Sequence, residues 1–126
     1  MKGFLKDDIE IEMDDVDKIN DINVLKGIAK NQRDYRIRLN AVERIFDDTF
    51  LNEVAFNDSN RNVMIAAVKN IKEQSLVKSI SMTHTDSHIR IEAIKKIEDE
   101  AFLKVLCQRE SNRYVKKAIS DRLSHV

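Results

Sequence analysis

His84, Asp86 and His88 stand within five residues of one another. Histidines four apart on one helical face can share a metal ion, and a carboxylate between them can be a third ligand. Here, however, His84 is expected in the turn before a helix, in a column with Gln32, Asp58 and Glu110, which are ordinary polar turn residues. The metal reading therefore yields to a structural one. Cys107 is the single cysteine, and its equivalents are Ala29, Ala55 and Ser81, so it reads as a small core residue. No electropositive helix start accompanies it, as a reactive thiol would require. Neither a Ser/His/Asp set, a Gly-rich phosphate loop nor a paired-carboxylate cleft can be assembled. The expectation is a non-enzymatic protein without a cofactor or metal.

Charge and composition narrow the remaining classes. The chain has 126 residues, with 22 Lys plus Arg balancing 22 Asp plus Glu. This size suits one domain, 1–126. The zero net charge, the lack of Trp and only two Tyr argue against a nucleic-acid partner. No Pro and only Gly3 and Gly27 leave few turn-formers for an all-β fold. One cysteine excludes an intrachain disulfide and fits a reducing, cytoplasmic compartment. No apolar run approaches the ~20 residues of a membrane span, and the opening MKGFLKDDIEIEMDD has no signal-peptide core.

Self-similarity reveals the elements that must position any site. Ile11, Ile37, Val63, Ile89 and Val115 are spaced by 26 residues, as are Ile19, Ile45, Ile71, Ile97 and Leu123. Leu25, Leu51, Val77 and Leu103 keep the same step, and so do Ile28, Val54, Ile80 and Leu106. Ala41, Ala67 and Ala93 form a small-residue column. Within one unit, Ile37–Ile45 and Phe50–Phe56 each place their apolar residues on one face of a 3.6-residue period. Between them Asp21, Asp47, Glu73 and Asp99 are placed to cap the second helix, and Asn/Asp/Ser-rich turns such as 57–60 close the unit. Each repeat is therefore a pair of short antiparallel helices. The expected organisation is an acidic N-terminal cap (1–20), a degenerate repeat (11–36), full repeats 37–62, 63–88 and 89–114, and a closing helix in 115–126. Asp14 and Asp15, standing where later repeats carry Ala66 and Ala67, suit a water-facing end.

The strings Asn60–Ile71 (NRNVMIAAVKNI) and Asp86–Ile97 (DSHIRIEAIKKI) resemble the D-x-x-V-R-x-x-A-x-x-x-I core of HEAT-like repeats. They are most similar to the short bacterial and archaeal units that include relatives of the phycobilin lyases. The resemblance covers roughly residues 20 to 124, with a shorter unit than the usual ~40 residues and without the family's inter-helix proline. It implies an all-α superhelix, an α-solenoid of armadillo type, and says little about function beyond protein binding and scaffolding. A lyase-like accessory role is a further expectation from the resemblance.

The resemblance also implies that the helix around 37–45 lines a concave face. Its outward rows are Arg36, Asn62, His88 and Tyr114, then Asn40, Ala66, Glu92 and Ala118, then Glu43, Lys69, Lys95 and Asp121. These mix donors, acceptors and both charges. Arg36, Asn62, His88, Tyr114, Lys69 and Lys95 are the candidates for gripping a protein or peptide segment. A flanking stripe, Lys18, Arg44, Asn70, Lys96 and Arg122, is basic at four positions and could steer an acidic partner or track phosphates, the alternative nucleic-acid reading. Arg38 and Arg90 fall in the arc that should be buried, where a cation needs a partner. Asp34 and Asp86, four residues earlier, are the expected partners, forming a structural ladder. Finally, residues 1–21 carry a net charge of −5 and residues 104–126 carry +4. The chain is expected to be a monomer, with head-to-tail association between copies as the alternative.

Overall fold

The computed structural model describes residues 11–125, and these are helical with short connections and no strand. The helices are α1 (Met13–Asp17), α2 (Ile22–Asn31), α3 (Tyr35–Glu43), α4 (Asp48–Asn57), α5 (Arg61–Asn70), α6 (Gln74–Thr83), α7 (Ser87–Ile94), α8 (Glu100–Arg109) and α9 (Arg113–Leu123). Even-numbered helices are the second members of the expected pairs. The chain divides into two compact units, one running up to Asn70 and the other starting at Ile71. In the first, α2 packs on α3, α4 on α5, and α3 touches both α1 and α5. In the second, α6 packs on α7, α8 on α9, and α7 on α9. The expected charges at residues 1–10 lie outside the described residues.

Most helices begin where a short polar side chain accepts orphan amides, whereas the N-cap Glu12 of α1 makes no side-chain cap bond. Asp21 accepts from the N–H of Asn23 at 2.9 Å, Asp47 from Phe50 at 3.2 Å and Asp99 from Phe102 at 3.0 Å. Before the odd-numbered helices, Asp34, Asn60, Asp86 and Asn112 each accept the amide two residues on, at 2.8–2.9 Å. Glu73 departs from the expected acidic column: it occupies the N-cap of α6 but makes no side-chain cap bond.

The helices stop without glycine or proline, and none of the described residues has a positive φ. Helices α4, α6 and α8 instead end at an extended residue whose side chain takes over the turn. The carboxylates of Asp58 and Glu110 accept the amides of Asn60 and Asn112 at 2.8 and 2.9 Å, and the His84 Nδ1 accepts that of Asp86 at 3.0 Å. Side chains thus perform the reversal that backbone-permissive residues perform in other turns, which accounts for so few Gly and no Pro.

Burial follows the columns. Ile37, Val63, Ile89 and Val115 are buried, as are Ile45, Ile71 and Ile97, with the alanines of the small-residue column fully covered. Exposure returns at the ends, where Ile11, Ile19 and Leu123 are only half-buried. Among the described residues no aromatic ring belongs to the buried set. Phe50 and Phe102 sit under the ammonium groups of Lys26 and Lys78 at 5.6 and 5.3 Å. Those lysines also bond the capping carboxylates of Asp47 and Asp99 at 2.6 and 3.0 Å. The second set stands two repeats after the first, so the two units are built on one plan.

Lys26 and the Phe50 amide hold the Asp47 carboxyl below its ordinary range. The Phe102 amide and Lys78 do the same for Asp99. A depressed folded pKa gives stability that is complete above the unfolded carboxylate value of ~3.9 and lost as pH falls through the folded value. The melting temperature should therefore drop on acidification from pH 5 downward. In Asp47→Asn with Asp99→Asn, which keeps a capping oxygen but cannot titrate, the drop should be smaller over the same window.

Candidate functional site

The outward column on the odd-numbered helices is held at its base. Arg36, 68% exposed, donates to both oxygens of Asp34 at 3.1 and 2.8 Å. This pairing holds the Asp34 carboxyl below its ordinary range. His88 Nδ1 lies 3.2 Å from Asp86. Where the cap is neutral Asn60 or Asn112, the corresponding residues are the uncharged Asn62 and Tyr114. Tyr114 accepts from Arg113 at 2.9 Å and lies beneath its guanidinium. Lys95 bonds Glu92 at 3.0 Å.

Between α3 and α5 the first unit opens into a groove of about 480 Å³, lined by Leu39, Glu43, Asn62, Ile65, Ala66, Lys69 and Asn70. Two expected site residues, Asn62 and Lys69, meet there. Leu39 and Ile65 supply apolar wall, and the methyl of Ala66 leaves depth where a longer side chain would fill the space. Glu43 and Lys69 give the groove one charge of each sign. Arg36 does not line it, and His88, Lys95 and Tyr114 belong to the other unit.

The ladder forms with different partners from those expected. Arg38 does not bond Asp34; its Nε and Nη2 donate to Asp58, twenty residues on, at 3.0 and 3.1 Å. Its Nη1 reaches the carbonyls of Gln32 and Arg33 at 2.8 and 2.9 Å. Arg90 likewise engages Glu110 at 3.2 and 3.3 Å, together with the carbonyls of His84 and Thr85, rather than Asp86. Asp34 and Asp86 are occupied as caps, and a residue at the first turn cannot also cover the inward face one turn later. The acids that can reach lie in the turn after the next helix. A sequence signal exists: acids follow Arg38 and Arg90 by twenty residues, whereas His84 follows Met64 at that distance.

The stripe is also corrected. Arg44 donates to the carbonyl of Val16 at 2.6 Å and to that of Ile19. Asn70 donates through one amide nitrogen to Val42, Glu43 and Ile45 at 3.2, 3.1 and 3.0 Å. Lys96 donates to the carbonyl of Ile71, and Arg122 to that of Ile97 at 2.8 Å. These side chains meet the orphan carbonyls where an earlier helix has ended, so three of the four cations do not form a free row facing solvent. Lys18, with no earlier helix among the described residues, is exposed.

His84 is buried and accepts through Nδ1, while His88 is 61% exposed. Among the described residues no group of three His, Cys, Asp or Glu side chains is arranged to hold a metal ion. Cys107 is half-buried, less covered than Ala29 and Ala55, because α8 is the last even-numbered helix described. Family models, curated proteins and solved structures were all searched, and none matches this chain.

Arg90 and Glu110 are 15% and 9% exposed, so removing one partner strands a largely desolvated charge. Arg90→Met should cost about 2–4 kcal/mol, slightly below the range for a fully buried pair. Adding Glu110→Gln should recover most of the loss in urea unfolding, and adding Asp86→Asn should not.

Proposed function

We propose that this chain is a HEAT-like α-solenoid that works as a non-enzymatic interaction module, binding an extended segment of another protein along its odd-numbered helices. The observation that carries the reading is the groove between α3 and α5, with its apolar walls, its amide at Asn62 and its opposed charges at Glu43 and Lys69. Such a lining suits a peptide: amide side chains can bond a main chain, charged groups select side chains of opposite sign, and Leu39 and Ile65 accept an apolar residue. The repeat architecture supports it, since helix pairs at constant step present equivalent positions in a row. The basic stripe offers little to a nucleic acid, because Arg44, Lys96 and Arg122 direct their donors at carbonyls. No helix among the described residues is long and apolar enough to cross a membrane. The lone unpaired cysteine suits a reducing compartment, and the cytoplasm is the proposed location.

Selection of a displayed random-peptide library on the intact protein tests this. Enriched peptides should lose at least tenfold in affinity for Asn62→Trp and for Lys69→Glu, both changes of exposed residues that leave the circular dichroism unchanged. No enrichment, or binding indifferent to both substitutions, would overturn the reading.

A further inference from the structure

Arg109, the last residue of α8, and Ser111, in the turn after it, take no part in the caps and ties. They line a cavity of about 200 Å³ in the second unit, together with Met82 of α6, Arg90 of α7, Leu106 of α8 and the turn residue Glu110. Glu110 is already engaged there, accepting from Arg90 and from the amide of Asn112. Arg90 commits four of a guanidinium's five N–H groups to Glu110 and to the carbonyls of His84 and Thr85, which leaves one on Nη2. Arg109 and Ser111 are both exposed, and among the described residues neither side chain has a hydrogen bond or ion pair. Two guanidinium groups and one carboxylate thus share the cavity, a surplus of one positive charge.

The equivalent place in the first unit is built differently. Two repeats earlier, Lys30, Glu53, Asn57 and Asp58 are among the residues lining a smaller cavity of about 120 Å³. Asn57 stands at the position of Arg109, Lys30 at that of Met82 and Glu53 at that of Val105. Lys30 and Glu53 cancel in charge, and Asp58 is neutralised by Arg38. No charge is in excess there. In the second unit the charged pair has given way to apolar residues, and Arg109 adds a cation that no acid in the lining answers.

A small monoanion fits this lining. A guanidinium presents paired N–H groups that match the two oxygens of a carboxylate, and Ser111 can donate a further bond. Met82, 41% exposed, and Leu106 offer an apolar wall beside them. The volume is below the ~300 Å³ at which pockets for drug-sized ligands begin. A phosphate group, with nearly two negative charges at neutral pH, exceeds the surplus and has nothing to place on the apolar wall. We propose that this cavity binds a carboxylate carried on a short apolar group, with Arg109 and Ser111 donating to the carboxylate and Met82 and Leu106 covering the apolar part. The group is a free short-chain acid or the C-terminal residue of another chain, which present the same chemistry here. The site belongs to the second unit and does not rest on the peptide reading of the groove between α3 and α5.

Titration of the full chain with hexanoate and with N-acetylleucine, followed by amide chemical shifts, tests it. At least one acid should bind saturably with a Kd on the order of millimolar, its shifts centred on Met82, Leu106 and residues 109–111. Methyl hexanoate and N-acetylleucine amide keep the apolar part without the charge and should not bind at the same concentrations. Tighter binding of hexanoate assigns the site to free acids, and tighter binding of N-acetylleucine assigns it to chain termini. Arg109→Gln and Met82→Asp should each weaken the preferred acid roughly tenfold, while Asn57→Ala, at the equivalent place in the first unit, should leave it unchanged. Circular dichroism of these variants, all altered at exposed positions, separates lost binding from lost folding. The proposal is refuted if neither acid saturates by about 20 mM, if Arg109→Gln binds like the wild type, or if inorganic phosphate binds more tightly than both acids.

Discussion

A helix of eight to eleven residues leaves four amides and four carbonyls without intrahelical partners, nearly as many as it satisfies. A protein assembled from such helices depends on meeting those groups at every turn, because an unmet backbone group near the core costs about as much as a hydrogen bond contributes. The repeat can be understood as a solution to that problem. Asp or Asn meets the amides at the helix starts, with Glu12 and Glu73 as the exceptions. Asp58, His84 or Glu110 meets the amide in the turn that follows an even-numbered helix. Arg44, Asn70, Lys96 or Arg122 meets carbonyls left where an odd-numbered helix has ended.

The buried arginines belong to the same scheme. Arg38 and Arg90 each bond two carbonyls of the turn before their own helix and one carboxylate from the turn after the next. The cation therefore ties two turns together, and the carboxylate it neutralises is also the acceptor that shapes its own turn. Because each such carboxylate has two jobs, losing its arginine disturbs local geometry as well as charge balance. Apolar packing supplies cohesion, while these polar ties set the relative position of neighbouring pairs within a unit. On the outward column, Asn62 and Lys69 line the groove proposed for a partner.

Helix content, pairing and most of the buried columns were legible in the sequence because a strict step of 26 residues repeats the pattern and periodicity reports which face is apolar. The aspartate caps of the even-numbered helices were legible for the same reason, whereas Asp34 and Asp86, expected to pair with arginines, proved to be caps themselves. The arginine partners were not: acids stand four residues back in the sequence, whereas each guanidinium reaches laterally to a turn twenty residues away. The stripe misled for a related reason. Carbonyls leave no mark in a sequence, so a row of Lys and Arg reads as a solvent-facing charge until the helix end beneath it is seen. Asn70 held the clue, since an amide standing in for Arg44 and Arg122 suggests a shared role as donor rather than a shared charge. Of the groove, Asn62 and Lys69 were legible from their outward position, and the contributions of Leu39 and Ile65 required the packing of α3 against α5.

The claim that one donor per repeat holds neighbouring pairs together is tested most directly at Asn70, which carries no charge and makes three carbonyl bonds within the first unit. Leucine has nearly the same shape and a better helix propensity, so Asn70→Leu removes the bonds and little else. Urea unfolding should show a loss of about 1–3 kcal/mol at an unchanged slope. A midpoint equal to or above that of the wild type would contradict the account.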